Sequence, residues 1–247
     1  MNPITSAGIA FGLILASTLI GMFLRYKLPE HHLSGDSKDV IKLATALVGT
    51  MSALVLALLF ASTRTSFERT SASVSRMTAD VVELDQLLEE YGPQAQPIRA
   101  ALRREITPLI DSIWRDDAEA RGAKPPPAGY NETVHYLIRE LQPANPVQAS
   151  IQVRMLQVIT DFAQIRLALV AQPSDSISQT FIIVLVVWLM FIFAVFSMSS
   201  PPNATLGIVL GICILSASAA IYLILELGQP FDGLMQISNE ALRTALR

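Results

Sequence analysis

Glu132 and His135 come nearest, in residue type and spacing, to a motif that could bind a metal. A carboxylate and an imidazole three positions apart share one face of a helix, as in the Glu-x-x-His motifs of di-iron bundles. Such a centre needs a second copy of the motif and two further glutamates, and the sequence holds one copy. We interpret the pair as the solvated start of a helix, and predict no metal site and no cofactor.

Other motifs of catalysis are absent from the sequence. It has no Gly-rich phosphate loop, no HExxH, no nucleophile elbow and a single cysteine, Cys213. His31 and His32 titrate in the range of a pH sensor, but we interpret them as part of a plain polar loop. The net charge of −3 gives no electrostatic reason to expect nucleic acid as a partner. We therefore predict that the protein is not an enzyme.

Four apolar segments dominate the chain. Hydrophobic residues make up 51% of it and charged residues 16%, against roughly 25% charged in soluble domains. The segments are residues 4–24, 41–62, 177–197 and 204–225. Each is near the length of about 20 residues that a helix needs to cross a bilayer. Because only three residues precede the first segment, we interpret it as a retained anchor rather than a cleaved signal.

The residues between the second and third apolar segments have the pattern of amphipathic helices. Apolar residues recur every three or four positions from Phe67 to Tyr91, with no Pro or Gly before Gly92. One helix from Ile41 to Tyr91 would be about 76 Å long. A second helix is predicted at 97–118, where Pro108 predicts a kink or a break.

The predicted fold is an all-α membrane protein, with four transmembrane helices and a cytoplasmic helical bundle inserted between the second and third. Its parts are transmembrane helices 1 and 2 (1–62), the helical domain (63–175), transmembrane helices 3 and 4 (176–226) and a C-terminal segment (227–247). Basic residues near the membrane favour the side with both termini and the domain as the cytoplasmic one. Close to the membrane, the other side offers only Arg25, Lys27 and Lys38, whereas this side offers the N-terminal amine and Arg64, Arg69, Arg76, Arg166, Arg243 and Arg247.

The second apolar segment has one distinctive face. Seven of its residues follow one another at three- or four-residue spacing: Lys42, Thr45, Gly49, Ser52, Leu56, Leu59 and Thr63. Copies of this face around a symmetry axis would line a water path, with a hydrophobic constriction at Leu56 and Leu59. The alternative is that the small residues serve close helix packing, as do the pairs Gly8/Gly12 and Gly207/Gly211. The pattern leaves both interpretations open.

Three stretches carry a resemblance to a known family. They are SALVLALLFASTRTSFERTSASV (52–74), VVELDQLLEEYGPQAQPIRAALR (81–103) and LELGQPFDG (225–233). In these stretches the chain resembles the bacterial bestrophin-like domain family, and LDxLLxxYGP is the most specific pattern. The family name implies kinship with bestrophins, which are pentameric ion channels with four spans, a cytosolic helical domain and a pore lined by the second span. The acidic calcium clasp of animal bestrophins is not found in this sequence.

The resemblance implies a homo-oligomeric, most simply pentameric, ion channel in the bacterial cytoplasmic membrane. Its partners would be the lipid bilayer, further copies of itself and small inorganic ions. Basic residues flank the second span and favour anions: Arg25, Lys27, Lys42, Arg64 and Arg69. A second hypothesis is a non-conducting sensor or scaffold that signals through the helical domain, with the polar face of the second span packed inside one subunit.

Overall fold

The computed structural model describes residues 2–27, 36–114, 132–171, 179–199, 203–231, 233–238 and 240–244. Across these ranges the regular structure is helical and no strand occurs. The helices are α1 (Pro3–Lys27), α2 (Asp36–Tyr91), α3 (Gln96–Ile113), α4 (Glu132–Glu140), α5 (Pro146–Ala171), α6 (Gln179–Ser199), α7 (Ala204–Leu227) and α8 (Glu240–Thr244), with a short 3-10 helix at Pro93–Ala95. The predicted all-α class is confirmed.

One compact unit comprises Met1–Ser66 and Asp175–Gly228. It contains four helices, or parts of helices, that are long and apolar enough to cross a membrane: α1, the first part of α2, α6 and α7. The chain is therefore a multi-pass membrane protein. In this unit α1 packs along both α6 and α7, and Ile14, Phe193 and Ile214 form part of the shared core.

The second compact unit comprises Phe67–Ser174 and Gln229–Arg247. Its core is built from the apolar stripes of the rest of α2 and of α3, α4 and α5. The predicted stripe of α2 lies in this core, with Val74, Met77, Val81, Leu84, Leu88 and Tyr91 all buried. The placement of this unit on the cytoplasmic side stays a prediction.

Of the kink or break predicted at Pro108, the break does not occur, because α3 continues through Pro108 to Ile113. Proline lacks the N–H that would donate to the carbonyl oxygen four residues earlier, so the helix loses one hydrogen bond there. Ile106 and Ile110 on either side of it are 3% and 1% exposed. Burial of these neighbours in the core holds the helix together across the missing bond.

The segment after α7 packs on the second unit of its own chain. Trp114, directly after α3, donates its indole N–H to the carbonyl oxygen of Ile237 at 2.8 Å. Its ring meets that of Phe231 edge-to-face, with centroids 5.3 Å apart. The Ile237 N–H donates to the Pro230 carbonyl oxygen at 2.9 Å, which closes the segment into a loop.

Candidate pore helix

The face of α2 that the sequence predicts to line a pore is largely buried within the chain. Thr45, Ser52 and Thr63 are only 3%, 5% and 3% exposed. Their hydroxyls donate to carbonyl oxygens of the preceding turn, Thr45 to Ile41 at 2.7 Å and Ser52 to Val48 at 2.8 Å. A hydroxyl bonded in this way needs no water, which is how membrane helices carry serine and threonine at low free-energy cost. The residues share one face as predicted, and that face is dry in this arrangement.

The two leucines of the predicted constriction lie on the same inward face. Leu56 and Leu59 are half-buried and pack against a cluster that includes Ala10 of α1, Leu185 of α6 and Ile221 of α7. Their side chains therefore contact other helices of one chain. Whether this face also lines a pore stays a prediction.

The two remaining residues of the predicted face differ from its centre. Gly49 is half-buried, and a β-carbon added there would have no atom within 4 Å. Lys42 is exposed, and its ammonium lies 3.7 Å from an Asp39 carboxylate oxygen. An exposed pair of this kind contributes little to stability and leaves the lysine near the end of the span accessible to ions.

The opposite face of α2 is a stripe of exposed aliphatic side chains, which we call the outward stripe. Its leucines are Leu43, Leu47, Leu54 and Leu58, exposed by 72%, 62%, 71% and 69%. Their spacing of four, seven and four residues keeps them on one side of the helix. The repeat of leucines is visible in the sequence, but only the structure shows that this face, rather than the one with polar residues, is exposed.

α2 is also the least covered of the four candidate spans. In its most apolar part 17% of the residues are buried, against 28–33% in α1, α6 and α7. Among the described residues, α1 approaches α6 and α7 closely along its length, while α2 comes near them at few points. The outward stripe is thus a part of α2 that lipid or another chain can reach.

The basic residues expected at the mouths of a pore have different environments. Arg25 donates to the Met198 carbonyl oxygen at 2.8 Å, so it caps the last turn of α6. The Lys27 ammonium lies 5.0 Å from the centre of the Phe23 ring. Arg64 and Arg69 are both exposed. Arg25 therefore has a structural role in addition to any effect of its charge on ions.

The glycine pairs do not mediate contacts inside the chain. A β-carbon at Gly8, Gly12, Gly207 or Gly211 would have nothing within 4 Å. The close helix contact is instead at Gly21, where a β-carbon would overlap Ser197 Oγ and the Ala194 carbonyl oxygen of α6. The expectation that the two pairs mark tight contacts is wrong within one chain, and the contact that exists involves Gly21, which is spaced four residues from the small, buried Ser17.

The LDxLLxxYGP pattern turns out to be a corner between α2 and α3. Asp85 accepts two hydrogen bonds from the Arg99 guanidinium, at 2.7 and 2.6 Å. These bonds hold the pKa of Asp85 below its ordinary value, against the opposing effect of its burial. Tyr91 is 2% exposed, and Gly92 takes a φ of 109°, which favours glycine. The residues of the pattern therefore have a structural role, which is to join α2 to α3.

The remaining candidates for chemistry form no site that the structure shows. Within the described ranges, no three His, Cys, Asp or Glu side chains are grouped closely enough to bind a metal ion. His135 lies on α4 and is half-buried. His31 and His32 lie outside the described residues. Glu226, near the end of α7, is only 3% exposed.

Comparison with known families agrees with the resemblance seen in the sequence. The profile of the Bestrophin-like domain matches residues 11–242, and the chain therefore belongs to the Bestrophin-like family. The matched region includes all three stretches that carried the resemblance. Neither the curated proteins nor the solved structures give a significant match.

Proposed function

We propose that this Bestrophin-like protein is a homo-oligomeric ion channel, most simply a pentamer, with α2 around a central axis. Family membership supports a channel-like membrane protein. The ions would be small and inorganic, and the exposed Lys42, Arg64 and Arg69 favour anions. The proposed setting is the bacterial cytoplasmic membrane, with both termini and the second unit in the cytoplasm.

The observation that carries the proposal is the exposure of α2. A single chain leaves the outward stripe uncovered, and α2 is less buried than the other three spans. Several copies arranged around an axis would bring these stripes to the centre of a ring. An aliphatic lining of this kind is suited to a hydrophobic constriction, which gates by dewetting.

The outward stripe is the face that we assign to the pore. Thr45, Ser52 and Thr63 are buried in one chain, so water does not reach them in the described arrangement. The alternative assignment keeps the face from Lys42 to Thr63 at the axis, with Leu56 and Leu59 as the constriction. That assignment requires α2 to turn or to separate from α1, α6 and α7.

The second candidate function is a non-conducting sensor or scaffold. The burial of Thr45 and Ser52 within one chain is what this hypothesis expects. The continuity of α2 from the first unit into the second also fits it, since one helix would relay a change of state. This candidate predicts no continuous axial path.

The first test is the number of subunits, measured by native mass spectrometry of the protein in detergent. A ring of four or more copies would provide the axis that a channel needs. A monomer or dimer would leave no place for an axial pore and would favour the sensor or scaffold.

The second test maps the pore surface by cysteine accessibility. Cys213 is first replaced by serine, which removes the single native thiol. Leu54→Cys and Ser52→Cys are then made separately, and currents across planar bilayers are recorded with a charged methanethiosulfonate reagent. Block of Leu54→Cys alone would support the outward stripe, and block of Ser52→Cys alone would support the alternative face. No current from any variant would contradict the channel.

A further inference from the structure

A cleft in the second unit brings charged side chains of α2 and α5 together. It has a volume of about 330 Å³ and is lined by Arg76, Ala79, Asp80, Asp161, Gln164 and Ile165. Asp80 is half-buried, whereas Arg76 and Asp161 are exposed. The cleft is open to water, so protons reach its side chains freely.

Asp80 has an unsatisfied oxygen in this cleft. Its Oδ2 atom is buried and has no hydrogen-bond partner among the described residues. A buried carboxylate oxygen without a donor is unfavourable by roughly 1–3 kcal/mol or more, so such groups are uncommon in folded proteins. A proton on Asp80 would remove the charge and turn one oxygen into a donor.

The charged groups around Asp80 act in the same direction, with one exception. Burial raises the pKa of Asp80, the Asp161 and Glu83 carboxylates raise it further, and Arg154 lowers it. Arg154 is itself bound to Glu83 through two hydrogen bonds, at 2.6 and 3.0 Å. Arg76 also lines the cleft, from an exposed position where dissolved salt screens its charge. The positive charge of Arg154 is already shared with the Glu83 carboxylate.

We propose that this cleft is a proton-uptake site, at which Asp80 takes a proton from water and donates it in a hydrogen bond to Asp161 across the cleft. The proton comes from hydronium in the solvent, whose O–H bond breaks as the Asp80 O–H bond forms, and water is released. Uptake removes the repulsion between the two carboxylates and joins α2 to α5. The proposal concerns the second unit alone and does not depend on ion conduction.

The sign of the pH dependence follows from the direction of the shift. A carboxyl whose pKa is higher in the folded protein binds its proton more tightly there. Its contribution to stability is complete below the unfolded pKa of about 3.9 and is lost as the pH rises through the folded pKa. The contribution of Asp80 should therefore raise the melting temperature of the protein as the pH falls through the folded pKa of this group towards about 3.9.

The test is the melting temperature of the full chain in detergent at pH values from 7.5 to 4.5. Asp80→Asn is expected to reduce the rise on acidification, because an amide does not titrate in this range. It should melt at or above the wild-type temperature at pH 7.5. Glu90→Gln makes the same chemical change at an exposed position of α2 and should leave the pH profile unchanged.

A second variant keeps the proposal testable if Asp80→Asn does not fold. Asp161→Asn removes the facing carboxylate from an exposed position and should move the rise to lower pH. A wild-type pH profile in both variants would overturn the proposal. So would stabilisation of the wild type by CaCl₂ or MgCl₂ at pH 7.5 that is absent in Asp80→Asn, since it would show a cation site instead.

Discussion

Gly21 of α1 lies directly against Ser197 of α6, so closely that a β-carbon at Gly21 would overlap the serine hydroxyl oxygen. Ser197 is fully buried and donates its hydroxyl to the Ala194 carbonyl oxygen at 2.9 Å. The same β-carbon would also overlap that carbonyl oxygen. Because two of the obstructing atoms belong to the backbone of α6, a side-chain rotation cannot relieve the overlap.

Gly21→Ala is expected to destabilise the membrane unit by about 1–3 kcal/mol, the usual range for overpacking. The readout is a lower melting temperature in detergent. Gly12→Ala is the matched control on the same helix, because a β-carbon there meets no atom within 4 Å. Equal melting temperatures for both variants would contradict the contact between α1 and α6. If Gly12→Ala instead reduces the number of subunits, Gly12 contacts another chain.

Two double leucine variants of α2 distinguish between the two candidate pore-lining faces. Leu54→Ala with Leu58→Ala shortens exposed side chains of the outward stripe. The double variant should raise single-channel conductance, because the pore lined by this stripe would be wider. Leu56→Ala with Leu59→Ala removes packing inside the chain, and because both side chains are half-buried each change should cost less than the roughly 2–5 kcal/mol of a fully buried Leu→Ala. The second pair should lower the melting temperature and leave conductance unchanged. Higher conductance from the second pair alone would place the constriction at Leu56 and Leu59.

Asp85→Asn should destabilise the corner between α2 and α3 at neutral pH. The change removes the charge that Arg99 pairs with, and the two side chains are 12% and 20% exposed. We expect a loss of roughly 2–3 kcal/mol, below the 3–5 typical of fully buried pairs, seen as a lower melting temperature. Glu83→Gln is the control, since its pair with Arg154 is half-exposed and such pairs contribute about 0–1 kcal/mol.

The pH dependence at Asp85 is opposite in sign to that at Asp80. Hydrogen bonds from Arg99 lower the pKa of Asp85. Its contribution is therefore present above the unfolded pKa of about 3.9 and is lost as the pH falls through the lower, folded value. The difference between wild type and Asp85→Asn should stay constant from pH 7.5 to 4.5 and shrink only in stronger acid. A difference that disappears already at pH 5 would contradict the assignment.

Trp114→Phe should release the segment at 229–238. The change keeps an aromatic ring beside Phe231 but removes the hydrogen bond to the Ile237 carbonyl oxygen, worth about 1 kcal/mol. Hydrogen exchange of this segment should become faster, measured by mass spectrometry on the full chain. Trp188→Phe makes the same substitution on α6 and should leave the exchange of 229–238 as in wild type.

The fold was predictable because the apolar segments and stripes that indicate its helices are long. Apolar runs of twenty residues have few alternatives to a membrane helix, and the stripe from Val74 to Tyr91 marks one buried face. Pro108 shows the limit of such arguments, since a local preference for a break was outweighed by burial of Ile106 and Ile110. The contact between Trp114 and Ile237 joins residues 123 positions apart, and no local pattern points to it.

The candidate site was predictable only in part. Spacing correctly grouped Thr45, Ser52 and Thr63 on one face, because helical periodicity alone decides that. Periodicity does not tell what the face contacts. In the structure these three side chains are buried within the chain. For the same reason the glycine pairs gave no guide to Gly21, whose importance depends on the approach of α6.

The buried positions of α2 in the second unit have a consequence for the tolerated length of the helix. Within this unit they keep a single helical phase through Thr70, Met77, Leu84 and Tyr91, which are separated by seven residues. One residue inserted between Met77 and Leu84 would rotate the positions beyond it by about 100° and turn Leu84 and Tyr91 away from the core. An insertion of seven residues at the same place would restore the phase.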